Sequence, residues 1–374
     1  MKKNLLIIGA IPPPIHGAAI YFENISKSKI LNSRYNIKLF NARFNKNLEE
    51  LETFTLSKYL LALKYSCQLV YLLLTSKIDI VFTQISYSNS GFFKDSFFIQ
   101  IAKLFRKKVV STILVSGQAE KYYAHGKIYR WWLYRTFKNS DVIMAHTKNI
   151  IERDWIEKIK KLNYVIIPYA TKPLFTKQEA IKNLDIKDEK NITIIFMSNF
   201  YETKGIFDAL KAAVSVVNTN PDILFKFAGN WTNSIDKAKA VLILKELKYP
   251  EQIQFVGYIT DDIKKKYLLK ADIFILPTFY AKEDMPLAIL DSMSAGIAIV
   301  TTEQGGIAEV VKENVNGLFC KKQDATDLTE KLIYLINNIS ILRKMQKLNI
   351  DDYFSKYAYS NYENRIEEIF ESLN

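Results

Sequence analysis

Short apolar runs that do not alternate, each followed by a longer stretch with helical spacing, dominate this chain and limit what it can fold into. NLLIIGA (4–10), NIKLFNA (36–42), DIVFTQI (79–85), KVVSTIL (108–114), DVIMAH (141–146) and YVIIP (164–168) form a first series, separated by helical patterns near 18–32, 56–76, 91–106, 120–138 and 148–160. A strand covered on both faces reads as a continuous apolar run, and a parallel pair of strands needs a crossover helix. The first series therefore predicts a parallel sheet with helices on both sides. A polar, charged stretch at 176–190 carries no strand signal and reads as a linker. The pattern then restarts with ITIIFMS (192–198), ILFKFAG (223–229), IQFVG (253–257), DIFILPT (272–278) and IAIVTT (297–302). Two doubly wound α/β domains follow, 1–170 and 171–354, with a helical tail at 355–374 that can pack on either and is placed with the first. A length of 374 residues also favours two cores over one.

Charge is divided unequally between these halves. Residues 1–170 hold 26 Lys and Arg against 11 Asp and Glu, a balance of +15, whereas 171–374 hold 26 against 28, a balance of −2. A basic half attracts nucleic acid, an anionic membrane or a phosphate-bearing substrate through the same Coulomb term. The basic residues are scattered over strands and helices with no recognised binding module, which argues against nucleic acid. YLLALKYSCQLVYLLL (59–74) is the longest apolar segment, but its 16 residues are short for a membrane span and Lys64 and Gln68 interrupt it. It reads as a core-packed helix, with a surface-bound amphipathic helix as the alternative. Cys67 and Cys320 match no metal or redox spacing, and no signal peptide precedes the first apolar run, so the expected compartment is the cytoplasm.

In open parallel sheets ligands bind beyond the carboxyl ends of the strands, and two such sheets with those ends facing would enclose a cleft. The segment EDMPLAILD (283–291) lies in such a position, after the strand DIFILPT, and sets Glu283 and Asp291 eight residues apart. Pro286 suits a first helical position and Gly296 a helix stop, so Glu283 stands in the loop and Asp291 about a turn and a half inside the helix. Both carboxylates can then border one ligand near a helix N-terminus that offers N–H groups to phosphate.

EDMPLAILDSMSAG resembles the carboxylate motif of family 4 glycosyltransferases, in which two Glu are followed by Ala-Met-Ala-x-Gly. The resemblance continues through TTEQGGIAEVVKENVNGLF (301–319), FVGYITDDIKKKYLLKADIFILPT (255–278) and MSNFYETKGIFDAL (197–210), covering nearly all of the second domain. It implies the GT-B fold, two Rossmann-like domains facing across a cleft, with an N-terminal acceptor-binding domain and a nucleotide-sugar donor bound mainly by the second. It assigns Glu283 to the donor sugar and diphosphate, with the backbone of Met285, Pro286 and Leu287 beside them, and Asp291, in place of the usual Glu, to the ribose. In SNFYETKG, Lys204 keeps the diphosphate lysine and Asn199 stands where relatives have an arginine. Tyr258 and Ile259 match the segment that meets the base. In the first domain, IGAIPPPIHGAA resembles the loop that closes over the phosphates, with Gly17 retained and Ala18 replacing a second glycine. LVSGQAEKYY occupies the place where relatives carry a His before a Gly, here Ser116 and Gly117, with Glu120, His16 and His125 as further acceptor-side candidates.

The implied activity is a retaining, metal-independent transfer of a sugar from a nucleotide-diphosphate sugar to a glycan or lipid-linked acceptor, as in bacterial polysaccharide or lipopolysaccharide biosynthesis. Glu283 and Lys204 are the expected catalytic residues. The sequence carries no Asp-x-Asp signature or metal-ligand histidine spacing, so no metal and no cofactor beyond the donor is expected. A lipid-linked acceptor and the basic first domain together suggest peripheral association with the inner face of a membrane. Rival readings are a GT-B epimerase or phosphorylase, and a protein that binds sugar nucleotides or nucleic acid without catalysis.

Overall fold

A computed structural model describes residues 2–13, 17–43, 56–86, 89–114, 126–153, 156, 159, 161–188, 191–281 and 283–373. The chain forms two units, Met1–Pro168 with Ser360–Asn374, and Tyr169–Tyr359. The first holds β1 (Lys3–Gly9), β2 (Tyr35–Asn41), β3 (Ile80–Gln84), β4 (Lys108–Ile113), β5 (Val142–Ala145) and β6 (Tyr164–Ile166), in the order β2-β1-β3-β4-β5-β6. The second holds β7 (Thr193–Met197), β8 (Leu224–Ala228), β9 (Ile253–Gly257), β10 (Ile273–Leu276), β11 (Ala298–Thr301) and β12 (Gly317–Phe319), in the order β12-β11-β10-β7-β8-β9. All the pairings are parallel.

Burial follows position in the sheet. β5, β10 and β11 are buried throughout, whereas the edge strand β2 is only partly covered. Central strands lie between two helical layers, which is why their sequence lacks alternation. β12 was not predicted, being three residues long and bounded by polar chain, too short to stand out as a run. Its Gly317 is required by the pairing, since a Cβ there would lie 2.5 Å from the carbonyl oxygen of Ile299.

Three other expectations change. The 176–190 stretch is not a simple linker, because it contains the helix Lys177–Asp185 closed by a capping box between Thr176 and Glu179. The helix expected over 18–32 is two, Gly17–Ser26 and Lys29–Arg34, the second capped by Ser28, whose Oγ accepts from the Leu31 N–H at 3.1 Å. The 59–74 segment does form a helix, Leu56–Thr75, but only one side is core-packed: Leu69 and Leu73 are buried while Leu60, Leu63, Tyr71 and Leu74 face solvent. Among the described residues no helix is long and apolar enough to cross a membrane.

The final helix, Tyr359–Ser372, belongs to the first unit. Its Tyr362 hydroxyl donates to that of Tyr21 at 2.6 Å, and Phe370 packs edge-on against Tyr35 and Phe82.

Candidate active site

Counted from its own first strand, the second sheet runs 3-2-1-4-5-6, so its strand order reverses between β7 and β10. That reversal is where doubly wound sheets open a crevice for ligands. The loops leaving these two strands carry Lys204 and Glu283. The Lys204 ammonium and the Glu283 carboxylate form an ion pair, and the Thr278 hydroxyl donates to the same carboxylate oxygen at 3.1 Å. Glu283 is 7% exposed, and the Lys204 nitrogen lies 5.3 Å from the centre of the Tyr280 ring.

Local backbone chemistry brings these groups together. Lys204 ends a single 3-10 turn, Glu202–Lys204, and Gly205 follows in the left-handed region at φ 78°. A side chain at Gly205 would be strained in that conformation and would set its Cβ 2.2 Å from the Pro277 carbonyl oxygen. The Thr203 carbonyl accepts from the Phe279 N–H at 2.8 Å and lies 3.2 Å from the Thr278 hydroxyl oxygen, joining the two loops. The loop after β11 closes from the other side. Gly305, at φ 58°, lies so near Glu283 that a Cβ would stand 2.1 Å from the Glu283 carbonyl oxygen, and the Gly306 N–H donates to Asp284 at 2.8 Å.

Glu283 leads through Met285, buried, and Pro286 into the helix Leu287–Ser294. Pro286 is the cap rather than the first helical residue, one position earlier than its sequence suggested. No acidic residue occupies the first turn, Leu287 is half-exposed there, and Gly296 ends the segment at φ 69°. Asp291, 8% exposed, accepts the Lys264 ammonium at 2.9 Å, and Lys264 also meets Asp261 at 3.0 Å. Burial pushes the Asp291 carboxyl above its ordinary pKa, against the Lys264 charge and a hydrogen bond from Thr171. Burial alone would lower Lys264, but the charge and hydrogen bond of Asp291, with those of Asp261, raise it. The cost of burying this pair therefore falls mainly on the acid. Thr171 extends the network to the Tyr353 hydroxyl at 3.0 Å, whose pKa burial pushes up to about 12.

The remaining candidates are more scattered. Asn199 is exposed in the loop after β7, and its carbonyl accepts from Tyr201 at 2.9 Å. Tyr258 is exposed and Ile259 half-buried, both following Gly257, which turns the chain at φ 72°. In the first unit Gly17 begins a helix soon after β1, with Ala18 half-buried beside it. His16, Ser116, Gly117, Glu120 and His125 lie outside the described residues.

Residues that the sequence did not single out also occupy these positions. Thr278, Lys264, Thr171 and Tyr353 surround the two acids. Of these only Lys264 carried a signal, lying one turn into the helix Asp261–Lys270 after the GYI loop. In the first unit, Asp95 is buried after β3, accepting from the Ser86 N–H at 3.0 Å and pairing with Lys94 at 3.1 Å. Burial raises its pKa, with Lys94 and Ser86 opposing.

Two parallel six-stranded Rossmann-like units define the GT-B class. Residues 177–352, within the unit that carries the site, match the family of glycosyl transferases group 1. Over 237 residues the chain is 22% identical to the N-acetyl-alpha-D-glucosaminyl L-malate synthase of Bacillus anthracis, covering 62% of this chain and 60% of that protein. Two solved structures share its fold. The lipopolysaccharide outer core galactosyltransferase WaaB superposes with a TM-score of 0.70 at 15% identity, over 99% of each chain. Anabaena Alr3699/HepE in complex with UDP-glucose superposes with a TM-score of 0.68 at 14% identity, again over 99% of each.

Proposed function

We propose that the protein is a retaining glycosyltransferase that moves a sugar from a nucleotide-diphosphate sugar to a glycan or lipid-linked acceptor in cell-surface polysaccharide synthesis. One observation carries this reading: a lysine and a buried glutamate are clamped together by two left-handed glycines where the second sheet reverses its strand order. The donor class is supported by UDP-glucose in the HepE structure, and the acceptor class by the lipopolysaccharide named for WaaB.

In this reading Lys204 faces the diphosphate and Glu283 accepts hydroxyls of the donor sugar. The N–H groups at the start of the helix Leu287–Ser294 oppose further phosphate charge. Asp291 accepts the ribose hydroxyls, and the backbone at Tyr258 and Ile259 meets the base. The anomeric C–O bond to phosphate breaks as the acceptor oxygen bonds to the same face, and the departing phosphate oxygen takes the acceptor proton. No protein base and no metal ion is needed for that balance. Catalysis is then fixed charge and dipoles aimed at the leaving group. The excess of basic residues in the first 170, 26 against 11, favours peripheral association with an anionic membrane where lipid-linked acceptors reside.

The test is thermal denaturation with a panel of nucleotide sugars, followed by acceptor transfer monitored by NMR of the anomeric proton. A donor at a hundred times its Kd should stabilise by about 2.7 kcal/mol. Transfer should conserve the anomeric configuration and survive a chelator. A chain stabilised by none of the donors would overturn the reading, and equal turnover without acceptor would replace it by epimerase or hydrolase chemistry.

A further inference from the structure

We propose that the first unit docks on an anionic lipid bilayer through the outer side of a three-helix layer, which assigns a surface and a partner to the membrane association suggested above and rests on that reading. The helices Leu56–Thr75, Asn89–Leu104 and Lys127–Lys138 connect β2 to β3, β3 to β4 and β4 to β5. Each connection moves the same way across the sheet order β2-β1-β3-β4-β5, so right-handed crossovers put all three on one face. They pack side by side, with the Phe97 and Trp132 rings 5.3 Å apart where the second meets the third.

The inner side of this layer covers the sheet, and its outer side exposes large apolar side chains together with cations. On the first helix Leu60, Leu63, Tyr71 and Leu74 recur at helical spacing along one stripe, Leu60 at 63% and Leu74 at 69% exposure. Phe97 and Leu104 continue it on the second helix. The third presents Ile128, 78% exposed, with Trp131 and Tyr134. A soluble surface rarely exposes so many large apolar side chains on adjacent helices without a partner.

Charge selects the partner. The three helices carry eight Lys and Arg against one acid, Asp95; Lys94 is buried with that acid and Lys103 pairs with Asp141 at 2.9 Å, while Lys64, Lys127, Arg130, Arg135 and Lys138 are exposed. Arg135 lies 5.5 Å from the Trp131 ring centre and Lys138 lies 4.7 Å from that of Tyr134, so cations flank the aromatics directly. A second copy of the chain would bring like charge against like. Nucleic acid would meet the cations and leave Leu60, Leu63 and Leu74 in water. An anionic bilayer satisfies both features, with cations at the phosphates, Trp and Tyr at the headgroup level and Leu and Ile in the acyl boundary.

Cys67 is exposed on the first helix and Cys320 is buried, so the full chain can be labelled at Cys67 with an environment-sensitive fluorophore. Co-sedimentation with phosphatidylcholine vesicles, alone or with about a third phosphatidylglycerol, should show binding that is about tenfold or more stronger with the anionic lipid, with a blue shift of the label. Leu60→Gln with Leu74→Gln, and separately Trp131→Ala, should each weaken binding about tenfold with the melting temperature unchanged, since these side chains are exposed. Wild-type strength in both variants would overturn the surface while leaving membrane association standing. Absence of vesicle binding by the unmutated chain, or a dimer that these substitutions dissociate, would overturn the proposal. Stabilisation by a nucleotide sugar, measured on the same samples, separates a failure here from a failure of the glycosyltransferase reading.

Discussion

Replacing Lys204 by methionine tests the site most directly, because its two consequences have different sizes and different rescues. Methionine keeps the length and the apolar stem but removes the charge that faces Glu283. That carboxylate is 7% exposed and would keep, among the described residues, the Thr278 hydroxyl at 3.1 Å. Stripping the partner from a fully buried pair costs about 3–5 kcal/mol. Lys204 retains 19% of its side-chain exposure, so water can enter from its side and about 1–3 kcal/mol is the expected loss. Adding Glu283→Gln removes the stranded charge, so the double variant should regain most of that stability in urea melts.

Catalysis should not be rescued in the same way. If Lys204 opposes charge on the departing diphosphate, its removal should lower kcat about 10²–10³-fold, or about 3–4 kcal/mol in the barrier, in both the single and the double variant. Single-turnover transfer from a saturating donor reads this apart from binding. A Lys204→Met enzyme within threefold of wild type would refute the reasoning, because a cation that the transition state does not use cannot stabilise it.

Three further outcomes follow from the geometry. His146 is buried, with its pKa lowered to about 4 by burial, so unfolded chains take up a proton near pH 6.5 that the folded chain refuses until about pH 4. Stability should therefore fall as pH drops from 6.5 to 4, by about 3 kcal/mol in all, and His146→Gln should flatten urea midpoints over that window. Gly305→Ala sets a Cβ 2.1 Å from the Glu283 carbonyl at φ 58°, and should cost about 2 kcal/mol or more while weakening donor stabilisation in the same melt. Because burial raises the Asp291 pKa, this acid detracts from stability increasingly as pH rises from 3.8 through its folded value. Asp291→Asn should gain relative to wild type over that range in urea melts, yet bind the nucleotide donor about tenfold or more weakly by titration calorimetry.

The strands were legible because their burial on both faces leaves no polar alternation, and β12 was not because three residues give no run to detect. The helix Lys177–Asp185 hid in a polar stretch since only Ala180 of it is buried, although Thr176 and Glu179 spelled its cap. In the helix Leu56–Thr75 composition alone suggested a core, and only packing distinguishes buried Leu69 and Leu73 from exposed Leu60 and Leu74. Glu283 and Asp291 could be found from their motif. Lys204 could be found from its own motif too, but not that it pairs with Glu283 across 79 positions, nor that Lys264 pairs with Asp291 across 27, separations that the fold sets and local spacing does not encode.

The pairing of each acid with a lysine also bears on how a donor would be held. Lys204 and Glu283 cancel in charge, and Asn199 adds none where an arginine would, so the pair alone offers a diphosphate no net attraction. Attraction must come from groups whose charge is not already matched, and the helix Leu287–Ser294 is such a group, with no acidic side chain in its first turn to neutralise its N-terminal dipole. A donor hydroxyl on Glu283 would substitute for part of the lysine's hold and turn Lys204 toward phosphate, so that sugar and diphosphate binding reinforce each other. Free nucleoside diphosphate, lacking the sugar, should then bind more weakly than the intact donor despite its greater charge, and the difference should vanish in Glu283→Gln. Titration calorimetry of both ligands against both proteins measures it, and tighter binding of the diphosphate to the unmutated chain would show that the acid does not gate the lysine.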